Sequence, residues 1–317
     1  MAKLEVGQSV STFEVVKALH QGGSGMIYEA RDRRDGSRVA LKVPDTSYLG
    51  DIPSWERFRR EVALARRLRH PLIADIKEAS DDATQPFLAV EFVDGLDLQE
   101  YIREHGPLPI DQAIALGVQI CETLEYIHAQ QVIHRDLKPA NIMVQADGSP
   151  KLVDFGIAKP LDMKRITWKG FSKTFGTPSY MAPEQVQGGR ISAATDIYAL
   201  GVILYEMLAG KPPFEGDNAF QVMNWQVTKQ PPPLRSVRHD VPEWLESVVI
   251  RALEKKPQHR YASATEMKHD LESRSAPAAL PETAESAAIP PFVWALIGGV
   301  MLIAACIIAI ALVHHHG

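Results

Sequence analysis

VIHRDLKPANIM, residues 132–143, is the stretch that most constrains this chain. Val132 and Ile133 read as the end of a buried strand, and Ile142, Met143 and Val144 as the start of another. Between them His134, Arg135, Asp136, Lys138 and Asn141 fall within eight positions, around Pro139, which forbids a helix interior. A polar segment clamped between two apolar runs has its position set by the core. Polar groups held in this way on a loop are how catalytic sites are commonly built.

The surrounding chain allows such a site. Its 317 residues suffice for one large domain or two ordinary ones, and 45% hydrophobic with 23% charged residues is a globular composition. A net charge of −5 gives no support to nucleic-acid binding, which favours basic faces. Cys121 and Cys306 are the only cysteines, which excludes a disulfide scaffold and a cysteine zinc site and fits a reducing compartment. The N-terminus carries Lys3 and Glu5 and does not read as a signal peptide.

Residues 292–313 contain no charge, and at ~1.5 Å per residue these 22 positions reach about 33 Å, enough to cross a bilayer's hydrocarbon core. A surface helix would keep a polar face. A buried core helix would need a partner layer that the sequence does not offer. One transmembrane helix over 291–313 is therefore expected, contacting membrane lipid and followed by a short tail, 314–317. Residues 272–290, rich in Ala, Pro, Glu and Ser without periodicity, read as a flexible linker.

Ahead of the linker, strands come first and helices after. Apolar alternation marks strands at 13–19, 26–31 and 38–43, with Asp35-Gly36 as a hairpin turn between the last two. Residues 55–68 carry Phe58, Val62, Ala65 and Leu68 at helical spacing, and His70-Pro71 is the expected stop. Another strand reads over 87–93. Helical periodicity then dominates at 110–130, 195–209 and 242–255. The expected fold class is α+β: two lobes, about 13–93 and 94–271, with a cleft between them.

Three further patterns carry chemistry. Gly22, Gly23 and Gly25 lie between two strands, where a backbone without Cβ atoms can approach phosphate oxygens; a plain flexible hairpin would look the same. It is not a Walker loop, because no Gly-Lys-Ser/Thr follows. Lys42 sits within an alternating strand, a position also open to an ordinary surface lysine. A lysine that reaches phosphates needs a carboxylate to hold it, and Glu61 on the following helix is placed for that, as is Glu56. LVDFGIAK, 152–159, repeats the logic of the opening stretch, an apolar strand ending in Asp154. Two strands ending in carboxylates suit Mg²⁺, a hard cation that bridges phosphates; a calcium loop would need closely spaced acids that are absent.

Together these residues resemble the eukaryotic-type protein kinase family over about 13–271. The resemblance extends to GTPSYMAPE (176–184), TDIYALGVILYEMLAGKPPF (195–214) and KKPQHRY (255–261), worded most like the bacterial members. It implies a two-lobed kinase fold and serine/threonine protein kinase activity, with ATP as co-substrate and Mg²⁺, or Mn²⁺, as cofactor. It implies that Leu19, Gly22, Gly23, Gly25, Ile27 and Ala40 enclose the nucleotide, and that Lys42, paired with Glu61, contacts the α- and β-phosphates. Glu91 and Val93 would offer backbone groups to adenine, with Val90 behind it. Asp136 would take the acceptor proton, Lys138 steady the γ-phosphate, and Asn141 and Asp154 hold the metal. Glu184 with Arg260, and Asp196 beneath the catalytic loop, would be structural. Lys138 also points to serine or threonine acceptors on protein substrates. His20 departs from the pattern, standing where a first loop glycine is usual, so the backbone there must stay in strand geometry. A pseudokinase or a membrane adaptor would not need Lys42, Asp136, Asn141 and Asp154 together.

Two regulatory expectations follow. Arg135 places a positive charge beside Asp136, so a phosphate on Thr167, Ser172 or Thr174 could order the segment between Asp154 and Glu184; Thr177 belongs rather with substrate docking. Kinase chemistry needs cytosolic ATP, and Lys268 and Arg274 precede the apolar span while no Lys or Arg follows it. The expected location is the cell's inner membrane, single-pass, with the catalytic domain cytoplasmic. Ala295 and Gly299 could let two such helices pair, making a homodimer that phosphorylates in trans.

Overall fold

Val39, Leu41 and Val43 alternate with Ala40 and Lys42, and that two-residue period divides the first lobe into a core face and a cleft face. The computed structural model describes residues 4–22, 25–44, 56, 58–59, 62–63, 66–82, 84–154 and 178–278. Nine strands are described: β1 (Ser9–Val10), β2 (Phe13–Gly22), β3 (Gly25–Asp32), β4 (Arg38–Pro44), β5 (Ile76–Ser80), β6 (Phe87–Glu91), β7 (Leu96–Asp97), β8 (Ile142–Val144) and β9 (Pro150–Leu152). The first six form one antiparallel sheet in the order β1-β2-β3-β4-β6-β5. Its core face gathers Phe13, Val15, Tyr28, Ala30, Val39, Leu41, Phe87 and Ala89. The β3–β4 hairpin turns at Asp35-Gly36 as expected, with Gly36 at φ +75° and its N–H donating to Asp32 O at 2.8 Å.

Glu56, Phe58, Arg59, Val62 and Ala63 are helical, and Phe58 and Val62 pack with Leu88. Arg66 and Arg67 already form a turn, so this helix ends ahead of His70-Pro71.

The second lobe holds α1 (Leu98–His105), α2 (Ile110–Ala129), α3 (Pro183–Gln187), α4 (Ala193–Ala209), α5 (Ala219–Thr228), α6 (Leu234–Val237), α7 (Glu243–Ala252) and α8 (Ala264–Ser273). Every residue of α4 from 195 to 208 is buried, as befits a helix apolar all round, and α2, α6 and α7 pack against it. A small sheet β7-β8-β9 lies beside α1 and α2. Leu152 joins the lobes: its N–H donates to Leu72 O and its carbonyl accepts from Ala74 N–H, both at 2.9 Å.

Several expectations are corrected. Val132 and Ile133 are not in a strand; Val132 is buried, but the stretch is irregular up to Pro139. The sheet begins at Ser9, ahead of residue 13, because Val10 pairs with Phe13 and fills the core. The segment expected to be linker from 272 is helical through Ser273, since Met267 and Leu271 on α8 are buried. The chain divides into units Met1–Pro277 and Ala278–Gly317. The expected membrane span 291–313 lies outside the described residues, as do Gly23, Glu61, Thr167, Ser172, Thr174 and Thr177. Among the described residues, no helix is long and apolar enough to cross a membrane.

Candidate active site

The sheet register assembles one side of the cleft. Lys42 on β4 pairs with Ile27 on β3, and Ala40 with Val90 on β6, so these four half-buried side chains share the face opposite the core. Leu19 is exposed at an irregularity of β2, and His20 stays in strand pairing opposite Ile27. Gly22 pairs with Gly25 to close the hairpin. Gly25 has φ +150°, and a Cβ there would come within 2.2 Å of Val43 O, so the neighbouring strand by itself requires glycine.

Beyond β6 the chain enters the link to β7, where Val93 is buried. Glu91 ends β6, with its N–H donating to Asp75 O at 2.7 Å. Its carboxylate turns to the lobe junction: Oε1 is 2.6 Å from Lys151 Nζ, and Oε2 accepts the Asp75 N–H at 3.1 Å. Sequence reasoning assigned Glu91 only a backbone role.

From the second lobe come the polar residues of the opening stretch. Asp196, 1% exposed on α4, accepts the N–H groups of His134 and Arg135 at 2.8 and 2.9 Å. His128 Nε2 lies 2.8 Å from the same carboxylate. These contacts hold Arg135 at φ +66°, a left-handed conformation that turns the chain and presents Asp136. Asp136 N–H donates to His134 Nδ1 at 3.3 Å, so the ring's Nε2 carries the proton that it gives to Asp154 O at 2.7 Å. One buried imidazole thus ties the two acidic residues together through their backbones.

Asn141 Nδ2 donates to Asp136 O at 2.9 Å, and Asn141 O accepts from Val153 N–H at 3.0 Å. Lys138 Nζ stands 3.4 Å from Asp136 Oδ2. Lys42 Nζ lies 3.1 Å from Asp154 Oδ1. Burial works to raise the Asp154 carboxyl, but the charge and hydrogen bond of Lys42 outweigh it and hold the group below the usual carboxylate range. Lys42, the close-spaced Asp136, Lys138 and Asn141, and Asp154, from three separate stretches of the chain, are therefore drawn into one linked set. Only Asp154 follows a strand, two residues beyond β9; Asp136 comes from the loop, which corrects the expected pair of strand ends. An amide oxygen and an ionised carboxylate are hard donors that suit Mg²⁺, which takes few protein ligands and fills its shell with phosphate and water.

Deeper in the lobe, Arg260 makes a bidentate pair with Glu184, both bonds 2.8 Å, and also donates to the carbonyls of Ala194, Glu254 and Lys255. Gln185 Nε2 reaches Arg135 O at 2.8 Å, linking α3 to the catalytic loop. His128 and Gln185 were not singled out from sequence. A histidine late in an amphipathic helix has no local mark of its partner, and Gln185 is told apart from a surface residue only by the fold.

Residues 13–271 match the protein kinase domain family. The chain belongs to that family. Over 264 residues it is 37% identical to the serine/threonine-protein kinase PknB of Mycobacterium tuberculosis, covering 82% of this chain and 42% of that protein. Over 260 residues it is 36% identical to a probable serine/threonine-protein kinase PknB of Lactococcus lactis, covering 82% and 41%. The chain thus spans about two fifths of the length of these curated relatives. The crystal structure of the PknI kinase domain of M. tuberculosis superposes with a TM-score of 0.69 at 28% identity, covering 86% of this chain and 100% of that one. The two-lobed protein kinase fold expected from sequence is the fold observed.

Proposed function

We propose that the chain is a bacterial serine/threonine protein kinase that transfers the γ-phosphoryl group of ATP to protein hydroxyls. The observation that carries this is the linked set of Lys42, Asp136, Lys138, Asn141 and Asp154 in a protein kinase domain. The acceptor oxygen forms a bond to the γ-phosphorus as the bond to the β,γ-bridging oxygen breaks and ADP leaves. Asp136 takes the hydroxyl proton. Lys138, beside it, offers a positive charge to the oxygens of the transferred group, and Lys42 does the same nearer the α- and β-phosphates. Asn141 and Asp154 would hold Mg²⁺, which when bound neutralises charge on the phosphate oxygens. The rate gain comes from positioning and electrostatics, as is general for phosphoryl transfer. Leu19, Gly22, Gly23, Gly25, Ile27, Ala40 and Val93 are assigned to nucleotide binding, with Glu61 as partner of Lys42. The test is phosphate transfer from labelled ATP: Asp136→Asn and Lys42→Met should each remove most of it, and equal incorporation by wild type and both variants would sink the assignment.

The same reading places the protein at the inner membrane, with 291–313 as a span and the kinase domain in the cytoplasm, where ATP is. Pairing of spans through Ala295 and Gly299 would raise the rate of phosphorylation in trans. A phosphate on Thr167, Ser172 or Thr174 would pair with Arg135 and order the segment before Glu184. Fractionation with protease protection tests the first point; recovery of the full chain in the soluble fraction would overturn it. Phosphopeptide mass spectrometry of active enzyme tests the last.

A further inference from the structure

The peptide unit that joins Arg135 to Asp136 is held at both of its polar atoms. Its N–H, on Asp136, donates to His134 Nδ1 at 3.3 Å, and its oxygen, on Arg135, accepts from Gln185 Nε2 at 2.8 Å. The unit before it is held by Asp196, which takes the Arg135 N–H at 2.9 Å. Arg135 stands at φ +66°, a conformation that a residue with a Cβ keeps only where its surroundings impose it. Two side chains act on it from opposite ends: Asp196 at the nitrogen and Gln185 at the carbonyl. Asp196 was expected beneath the catalytic loop. Gln185 comes from α3, a separate element.

Gln185 reaches the loop from a fixed base. The residue before it, Glu184, is buried, takes both arms of the Arg260 fork, and accepts the Thr195 hydroxyl at 2.8 Å. Behind it Gly188, at φ +68°, closes α3, and Gly189 N–H donates to Glu184 O at 2.7 Å. The direction of the Gln185 carboxamide is also set. Its Oε1 accepts the Ala182 N–H at 2.9 Å, and a backbone N–H can only donate, so the amide nitrogen is the end that faces Arg135. The two ends therefore have separate effects. The oxygen caps the first turn of α3, and the nitrogen holds the peptide that leads into Asp136. A methionine would fill the same space and do neither. Small displacements of a group that must meet the acceptor hydroxyl lower the rate of the chemical step, even when both substrates still bind.

We propose that Gln185 is a positioning residue for phosphoryl transfer: by holding the Arg135 carbonyl it orients the peptide that carries Asp136, and so sets the rate of transfer rather than the affinity for either substrate. This rests on the kinase reading above. Gln185→Glu separates the two ends of the side chain. At about pH 8 its ionised carboxylate still accepts the Ala182 N–H but has no proton to give to Arg135 O. The experiment measures the single-turnover rate of transfer from labelled ATP to histone H1 by the intact chain, with the KM for each substrate and the Tm. Gln185→Glu should slow transfer about tenfold, the equivalent of one lost hydrogen bond, and leave both KM values within about twofold and the Tm near wild type. Gln185→Met, which loses both bonds, should slow transfer to a similar degree and lower the Tm as well; it also serves if Gln185→Glu does not fold. A wild-type transfer rate in either folded variant, or a loss that appears as higher KM values at an unchanged rate, would overturn the proposal and leave the enzyme a kinase, with Gln185 a helix cap alone. A wild-type chain without transfer would instead overturn the kinase reading, and the proposal with it.

Discussion

Lys151 on β9 and Glu91 at the end of β6 form an ion pair of 2.6 Å between the two lobes, with side chains only 12% and 30% exposed. Glu91 also accepts the Asp75 N–H, so removing its carboxylate leaves a backbone donor and a half-buried ammonium to be resolvated. Glu91→Ala is expected to destabilise the folded domain by about 1–2 kcal/mol, between the values for exposed and buried pairs. That corresponds to a fall in Tm of roughly 2–8 °C for a domain of this size. Hydrogen exchange should show the Asp75 and Ala74 amides losing protection before those of α4. An unchanged Tm would show that the pair is held in place by the lobes and adds nothing to them.

Arg260 and Glu184 should behave differently, because both are buried. Glu184→Ala leaves a buried guanidinium with its carboxylate gone, a loss of about 3–5 kcal/mol. Arg260→Lys should fare little better, since a single ammonium cannot reproduce a fork that also serves three carbonyls. Chemical denaturation checks both, and a loss below ~1 kcal/mol for either would contradict this account.

His128 acts on activity through Asp196. Replacing it by phenylalanine keeps the ring volume and removes one of three groups that hold the carboxylate. Asp136 would be presented less accurately, so kcat should fall about tenfold while nucleotide affinity, measured by a fluorescent ATP analogue, stays near wild type. Equal kcat would mean that the two backbone N–H groups suffice.

Lys255 gives the stability a defined pH dependence. Burial beneath the rings of Tyr198 and Phe214, 5.6 and 4.6 Å from Nζ, and the charge of Arg260 lower its pKa from 10.5 to about 8. Between those values the unfolded chain binds this proton and the folded chain does not, so the contribution of Lys255 to stability rises with pH across that window. Below pH 8 the folded state carries the cost of the buried charge. Unfolding free energies from pH 7 to 10 should therefore increase relative to a Lys255→Met variant, whose curve lacks this rise. Parallel curves would refute the shift.

The sequence was legible where a local pattern carries its own meaning. The hairpins at Asp35-Gly36 and Gly22–Gly25, the helices around Ile120 and Val202, and the polar cluster at 134–141 each follow from spacing alone. Contacts fixed by the fold were not. Lys151 and Glu91 are sixty residues apart, and His128 and Asp196 sixty-eight, with nothing at either site to name the other. The reading of Val132-Ile133 as a strand failed because the backbone there finds other partners: Val132 N–H donates to Ile127 O, and the N–H groups of His134 and Arg135 to the Asp196 carboxylate. For α8 the local signal stands at one end only. Ser263 accepts from Glu266 N–H and so marks where the helix starts, but nothing comparable marks its end, which runs into the Ala- and Pro-rich composition after residue 273.

The strand order β1-β2-β3-β4-β6-β5 also says something about how the protein comes to be folded. The first four strands form a meander of adjacent pairings, which close small loops at little entropic cost. The next neighbour of β4 is β6, with Leu41 against Ala89, and most of the first lobe's remaining chain must be gathered before that pairing can form. Contact order therefore divides the sheet into an early and a late half, and the seam between them runs beside Lys42. A ribosome-bound chain would make the glycine hairpin long before it could add β6 beside β4.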